Sequence, residues 1–458
     1  MVPATSTIAA IATPLAPAGL GVVRLSGQEA ISIAAKVFTP KNSNKQLTNL
    51  AGYTAAYGHV FDSQGMIDEC VALVFRAPHS YTGEHVVELS CHGGKYLLRR
   101  VLSAVLQAGA VLAGPGEFTM RAFLNGKLDL TGAESVMALI EADGRLAAKT
   151  ALAAREGAVF RKLQQIKQQL LSLQAHFSAY VDYPDDDILE LDVHHLSATL
   201  EQAAQQMNQL LETFDAGRIL RDGIDTVIVG SPNVGKSTLM NLLAGCERSI
   251  VTSIAGTTRD VVEETVRVGE VKLRLSDTAG IRDTADPVEQ IGVQRSRKRL
   301  SEAALVLAVF DGSEPLTDDD RQLLDMLEGQ TAIAIINKAD KPFNINKEYI
   351  QDKIQHIVTM SAQTGEGLGQ LEQIIATLTG IAGLTGSQPV LSTERQRDCA
   401  RRSLEAIHEA LEALQMGMTL DAVSVSIDGA IGAILELTGE QVSEAVVQEV
   451  FSRFCVGK

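Results

Sequence analysis

The run Gly230-Ser-Pro-Asn-Val-Gly235-Lys236-Ser237 has the G-x-x-x-x-G-K-S spacing and follows an apolar segment. Glycines there let backbone N–H groups converge on phosphate oxygens, a lysine reaches the β and γ phosphates, and a hydroxyl offers a magnesium ligand. The spacing occurs by chance in unrelated chains, so what comes after it decides the reading. Gly256-Thr257-Thr258-Arg259-Asp260 is a polar run in which Thr258 is placed to close on magnesium and the γ-phosphate. Asp277-Thr278-Ala279-Gly280 ends another apolar run, where a carboxylate can hold the metal's second shell and an amide can sense the γ-phosphate. Asn337-Lys338-Ala339-Asp340 ends a third, and its carboxylate suits the N1–H and exocyclic amino donors of guanine, which adenine does not match. Ser361-Ala362 follows a fourth and offers backbone to the purine O6. Each signal alone is weak or moderate. In this order, four of them at a strand end, they imply a guanine-nucleotide site. Its contacts are expected at Asn233, Val234, Gly235, Lys236, Ser237 and Thr238, and at Thr252, Ser253, Ile254, Ala255, Gly256, Thr257 and Thr258. The strand-end residues Asp277, Thr278, Ala279, Gly280, Asn337, Lys338, Asp340, Ser361 and Ala362 complete the set.

The hydrolytic device is less plain. Ile281 follows Gly280, where many Ras-like GTPases carry a water-orienting glutamine. Two readings stand for Asn233: its amide oxygen coordinates a monovalent cation against the phosphates, or asparagine serves tight-turn geometry. Two also stand for Glu289: a carboxylate orienting water, or a solvated residue at a helix end.

These residues need elements to hold them. Residues 1–120 alternate short apolar runs, such as Gly21-Val-Val-Arg24-Leu25 and Val86-Val-Glu88-Leu89, with Gly/Pro turns, which predicts an α+β domain. From 121 to 219 composition shifts to Ala, Leu, Gln and Glu, and Leu163, Ile166, Leu170, Leu173 and Phe177 fall on one helical stripe. Between 220 and 382, β-branched runs alternate with helical segments, the pattern of a doubly wound α/β domain. Helical composition returns over 383–458, so the α/β domain reads as an insertion in a discontinuous helical domain.

The 458 residues exceed what one core usually serves, and 45% hydrophobic with 21% charged residues is ordinary for a folded chain. A net charge of −16 requires any nucleic acid to be met by local basic patches. Five cysteines, Cys70, Cys91, Cys246, Cys399 and Cys455, show no C-x-x-C spacing, which argues against a disulfide framework or zinc site and fits a reducing cytoplasm. No basic residue precedes Arg24 and prolines interrupt the first apolar stretch, so no signal peptide is expected, and no membrane span. The acidic run Asp182, Asp185, Asp186, Asp187, Glu190 and Asp192 reads as a solvated connection, and His194 and His195 lack metal-ligand spacing.

Further motifs carry a resemblance: Gly21 to Gly27, Tyr81-Thr-Gly-Glu84 through His92-Gly-Gly94, and Gly114-Pro-Gly-Glu-Phe118 continuing to Leu130. With the GTTRD loop, Val288-Glu289-Gln-Ile-Gly292 and the terminal Phe454-Cys455-Val456-Gly457-Lys458, they make the chain similar throughout to the MnmE (TrmE) family of tRNA-uridine-modifying GTPases. The resemblance implies a multidomain α+β and α/β protein with an N-terminal folate-binding and dimerising domain, a discontinuous helical domain and an inserted P-loop GTPase domain of Ras-like, doubly wound fold. It implies potassium at Asn233, Thr252, Ile254 and Thr257, magnesium at Ser237 and Thr258, and Glu289 as the water-orienting carboxylate. It places 5,10-methylenetetrahydrofolate, or 5-formyltetrahydrofolate as its analogue, against Arg24, Glu88, Lys127 and Lys458, where cations suit an anionic glutamate tail. It puts Cys455 near the folate, where a thiol could act on the one-carbon unit or on uracil; Lys458 is a poor ending for a prenylation box. The implied activity is addition of an aminomethyl or carboxymethylaminomethyl group at C5 of the wobble uridine, position 34, of certain tRNAs. The implied assembly is a homodimer that joins an FAD protein of the MnmG/GidA family in a heterotetramer or larger complex. The competing class is a regulatory GTPase, a ribosome-assembly or signalling switch, because nucleotide motifs report chemistry and not purpose. One departure stands at the N-terminal turn, where Ala16 and Ala18 replace glycines that would tolerate positive φ.

Overall fold

The computed structural model describes residues 6–182, 193–246, 264–275 and 303–458. Contacts divide the chain into two units, one of Met1–Met137, Arg155–Glu201 and Arg402–Lys458, the other of Ala138–Ala154 and Gln202–Arg401.

The first unit opens with β1 (Ile8–Ile11), β2 (Ala18–Ser26), α1 (Ala30–Val37), β3 (Phe38–Pro40), β4 (Thr54–Asp62), β5 (Gly65–Phe75), β6 (Val86–Gly93), α2 (Lys95–Gln107), β7 (Val111–Leu112) and α3 (Glu117–Leu124). The strands form one sheet in the order β3-β4-β5-β6-β2-β1-β7, antiparallel except where β7 joins β1. Side chains alternate faces along a strand. Val23 and Leu25 therefore enter the core shared with α1 and α2, while Arg24 takes the opposite face, in register with Glu88. Ala18 begins β2, and neither it nor Ala16 is among the residues with positive φ, so the N-terminal turn does without the conformation that glycine would have allowed.

Arg121 is 5% exposed and ties this unit together. Its guanidinium donates to Ser6 O at 2.8 Å, to Glu84 at 3.2 Å and to Glu117 at 2.9 Å. Glu84 also accepts from Ser26 Oγ at 2.6 Å, and Glu117 from the Gly114 N–H at 2.8 Å. Each buried charge has partners, the condition under which burying it is tolerable.

Four helices follow, α4 (Leu130–Glu141), α5 (Arg145–Arg155), α6 (Ala158–Asp182) and α7 (Val193–Leu211). In α6 the stripe Leu163, Ile166, Leu170, Leu173 and Phe177 is buried, as its spacing predicts. Lys167 interrupts the pattern at 7% exposure, and Glu440 takes its ammonium at 2.7 Å. Burial alone would raise the Glu440 carboxyl, but Lys167 and neighbouring donors outweigh it and hold that carboxyl below the usual range.

The second unit contains α8 (Phe214–Asp222), β8 (Ile224–Val229), α9 (Lys236–Cys246), β9 (Glu264–Val268), β10 (Val271–Leu275), β11 (Leu305–Asp311), α10 (Asp318–Met326), β12 (Ala332–Asn337), α11 (Lys347–Lys353), β13 (His356–Thr359) and α12 (Leu368–Leu378). Past it run α13 (Glu394–Gln415), α14 (Leu420–Thr438) and α15 (Glu444–Ser452). Its sheet has the order β13-β12-β11-β8-β10-β9, parallel except for edge strand β9. Leu307, Val309, Ile333 and Ile335 face one core; Val306, Ala308, Phe310 and Ile336 face the other. This is the doubly wound arrangement. Strand order reverses at β8, and in such sheets ligands bind beyond the carboxyl ends of the strands at that point. Among the described residues no helix is long and apolar enough to cross a membrane.

Helix α8 depends on a missing side chain. A Cβ at Gly217 would lie 2.0 Å from Leu391 O and 2.6 Å from Val390 Cγ1. Alanine normally favours a helix interior over glycine by about 1 kcal/mol. Here the clash reverses the sign: Gly217→Ala is expected to destabilise by about 1–3 kcal/mol, the cost of overpacking, read as a lowered thermal midpoint.

Candidate functional site

The phosphate loop joins β8 to α9, so its backbone is fixed at both ends by buried elements. Gly230 has φ +148° and Gly235 φ +101°. A Cβ on Gly235 would lie 2.2 Å from Asn337 Nδ2, so glycine is required for space as well as conformation. Asn233 has φ +65°, a left-handed geometry that asparagine tolerates better than most residues. That supplies a conformational reason for its identity, and its side chain is exposed. Lys236 donates to Gly230 O at 2.7 Å and Ser231 O at 2.8 Å, which folds its ammonium over the loop. Ser237 and Thr238 lie in the first turn of α9, which carries no acidic residue to compete with phosphate for the helix N-terminus.

The base side is built from the ends of β11, β12 and β13. Asn337 is 3% exposed; its Nδ2 donates to Val234 O and its Oδ1 accepts from the Ala362 N–H, both at 2.8 Å. Asp340 accepts from Ser361 Oγ at 2.6 Å, and this bond chiefly holds its carboxyl below the usual carboxylate range. The group is thus an ionised acceptor at neutral pH, as recognition of guanine donors requires. The Ser361 N–H donates to Glu366 O and the Ala362 N–H to Asn337, so a purine O6 would share or displace these bonds. Lys338 has φ +65° and pairs with Asp311. Burial would raise the Asp311 carboxyl, but Lys338 and Ser313 more than offset it and lower it.

A second constellation lies in the first unit. Arg24 donates to Glu88 at 2.8 Å and to Gly457 O at 3.3 Å, and its guanidinium lies 5.7 Å from the centre of the Phe118 ring. The tail 455–458 is held by a Pro115–Val456 bridge and by the Phe118 N–H donating to Lys458 O at 3.2 Å. Gly116, φ +62°, leaves room for it: a Cβ there would meet Phe451 O at 2.7 Å. Burial pushes the Lys458 ammonium below the usual lysine range, and Arg24 and Arg155 push it the same way. Arg24, Arg155 and Glu88 all act on the Lys458 ammonium, and this excess of cations suits an anionic ligand. Lys127 is exposed with its stem beside Gly83, and Cys455 is exposed.

Thr252, Ser253, Ile254, Ala255, Gly256, Thr257, Thr258, Asp277, Thr278, Ala279, Gly280 and Glu289 lie outside the described residues, as does the acidic run from Asp185 to Asp192. Of the magnesium set the described residues include Ser237, whose hydroxyl is an oxygen donor of the kind that ion takes, and of the potassium set Asn233. Among the described residues no group of three or more His, Cys, Asp or Glu is placed to hold a metal. Sequence reading did not single out Asp311, Arg155 or Asp320. Asp320 carries a visible signal, the Thr317-x-x-Asp320 capping box that starts α10, yet nothing in that box announces its bond to Ser231 at 2.6 Å.

The family description GTP-binding protein TrmE N-terminus matches residues 7–127, and MnmE helical domain matches residues 130–455. The tRNA modification GTPase MnmE of Geobacillus thermodenitrificans is 43% identical over 99% of both chains. That of Alkaliphilus oremlandii is 39% identical over the same shares. Among solved structures, a point variant of Aquifex aeolicus Era bound to GDP.AlF4- is 26% identical, over 40% of this chain and 66% of that one, with a TM-score of 0.26. With near-full-length identity at this level and both family descriptions matched in sequence order, this chain belongs to the MnmE (TrmE) family of tRNA modification GTPases.

Proposed function

We propose that this protein is a potassium-activated GTPase that acts with a flavin-dependent partner of the MnmG/GidA kind. Together they add an aminomethyl or carboxymethylaminomethyl group at C5 of the wobble uridine of certain tRNAs. The observation that carries this reading is one chain holding both a guanine-nucleotide constellation and the cationic cluster of Arg24, Lys458 and Arg155 around Glu88. A regulatory switch needs the first and has no use for the second. We read residues 1–120 as the folate-binding and dimerising domain, 121–219 and 383–458 as the helical domain, and 220–382 as the GTPase domain, in a cytoplasmic homodimer.

In the nucleotide site, Asp340 accepts the base donors, Asn337 fixes the loops around it, and Lys236 exchanges its loop carbonyls for phosphate oxygens. Ser237 and Thr258 would hold magnesium, which supplies charge neutralisation at the β and γ phosphates. Asn233, Thr252, Ile254 and Thr257 would hold potassium, and Glu289 would orient water. Arg24, Lys127 and Lys458 would bind the anionic part of the tetrahydrofolate with Glu88 as a hydrogen-bond acceptor, and Cys455 stands in the adjoining tail. The folate supplies the one-carbon unit.

Three measurements test this. Wobble nucleosides of tRNA from cells lacking the gene, read by mass spectrometry, should lose the C5 substituent; unchanged nucleosides would return the protein to the regulatory class. Hydrolysis in potassium should exceed that in sodium at equal ionic strength by a factor approaching the roughly 10³ or more that an arginine finger supplies, and equal rates would remove Asn233 from catalysis. Asp340→Asn should move preference from guanosine to xanthosine nucleotides in a competition assay, and retained GTP preference would count against the base-side assignment.

A further inference from the structure

Asp320 is 6% exposed at the start of α10, far in sequence from the phosphate loop. One of its carboxylate oxygens, Oδ2, completes the capping box, accepting from Thr317 N–H at 3.0 Å and Thr317 Oγ1 at 2.7 Å. The cap does not use the other oxygen. Oδ1 instead accepts from Ser231 Oγ at 2.6 Å, the length of a charge-assisted O–H···O⁻ bond. Ser231 lies between Gly230, whose φ of +148° is a conformation that side chains rarely adopt, and Pro232, which has no N–H to anchor the loop from the other side. The carbonyls of Gly230 and Ser231 also accept from Lys236 Nζ. Turning the Ser231 peptide would move both the loop and the resting place of that ammonium.

We propose that Asp320 is a positioning residue for the phosphate loop, acting through Ser231 to fix the loop peptide from which Lys236 reaches the phosphates. The proposal rests on the GTPase reading. Asp320 supplies a fixed acceptor on a capped helix, so the loop is ordered before phosphate arrives.

The test is competition of GDP and GMP against a fluorescent GDP on the full chain, with Ser231→Ala, Ser231→Thr, Asp320→Ala and the double variant S231A/D320A. Ser231→Ala should weaken GDP roughly tenfold, the effect of losing one hydrogen bond to a charged group. GMP, which lacks the β-phosphate, should change little. Asp320→Ala should match Ser231→Ala, the double variant should be no weaker than the weaker single, and Ser231→Thr should restore binding. Multiplying losses in the double variant, equal losses for GDP and GMP, or a Ser231→Ala protein that binds GDP as the parent does would each overturn the proposal. If Asp320→Ala does not fold, the Ser231→Ala and Ser231→Thr comparison decides. A parent protein that binds no GDP in the same titration would instead fail the GTPase reading.

Discussion

The proposed nucleotide site depends on one buried planar amide. Asn337 donates to Val234 O and accepts from the Ala362 N–H, so a single side chain spans the ends of β8, β12 and β13. Both partners are backbone groups, and orphaning a buried polar group costs about 1–3 kcal/mol. Around this amide the tolerances are tight: Gly235 has no room for a Cβ, Lys338 is turned left-handed, and Ser361 Oγ donates to Asp340. The strands beneath are packed on both faces, so the loops rise from ends that cannot drift.

Much of this was legible because each motif is local. A β-branched run followed by a polar tetrapeptide already says strand then loop, and the strands at Val227, Leu307 and Ile333 lie where those runs predict. The couplings were not legible. Lys338 with Asp311 and Ser231 with Asp320 join residues whose separation in sequence gives no hint of contact, because sheet order, and not local pattern, brings β11 between β8 and β12. Edge strand β9 was also missed, although Val266 and Val268 alternate with Thr265 and Arg267 as a strand's residues do; what so short a run does not show is its antiparallel pairing with β10.

The first unit shows the same division. Alternation along β2 predicts that Arg24 leaves the core, but only the pairing of β2 with β6 sets Glu88 opposite. Lys167, in an otherwise apolar helix stripe, looks like an error in the pattern until Glu440 is seen against it. Arg121 is harder still, since its carboxylates come from a loop and from its own helix, and its third partner is a backbone carbonyl near the beginning of the chain. In each case the sequence shows a charge and the fold supplies the reason it can be buried.

The bridge between Pro115 and Val456 also sets a schedule. The turn at Gly116 and the helix beginning at Glu117 are made early in synthesis, yet the backbone that closes over them follows roughly 340 residues later. At about 5–20 residues per second, the intervening chain takes roughly 20–70 s to emerge. For that interval the Phe118 N–H and the Arg24 guanidinium are without their acceptors in the tail, Lys458 O and Gly457 O, while every residue of the second unit has been made. The cationic cluster around Glu88 is therefore completed only after the residues of the second unit have been made, and a chain cut before Cys455 would keep that unit and lack the cluster's Lys458.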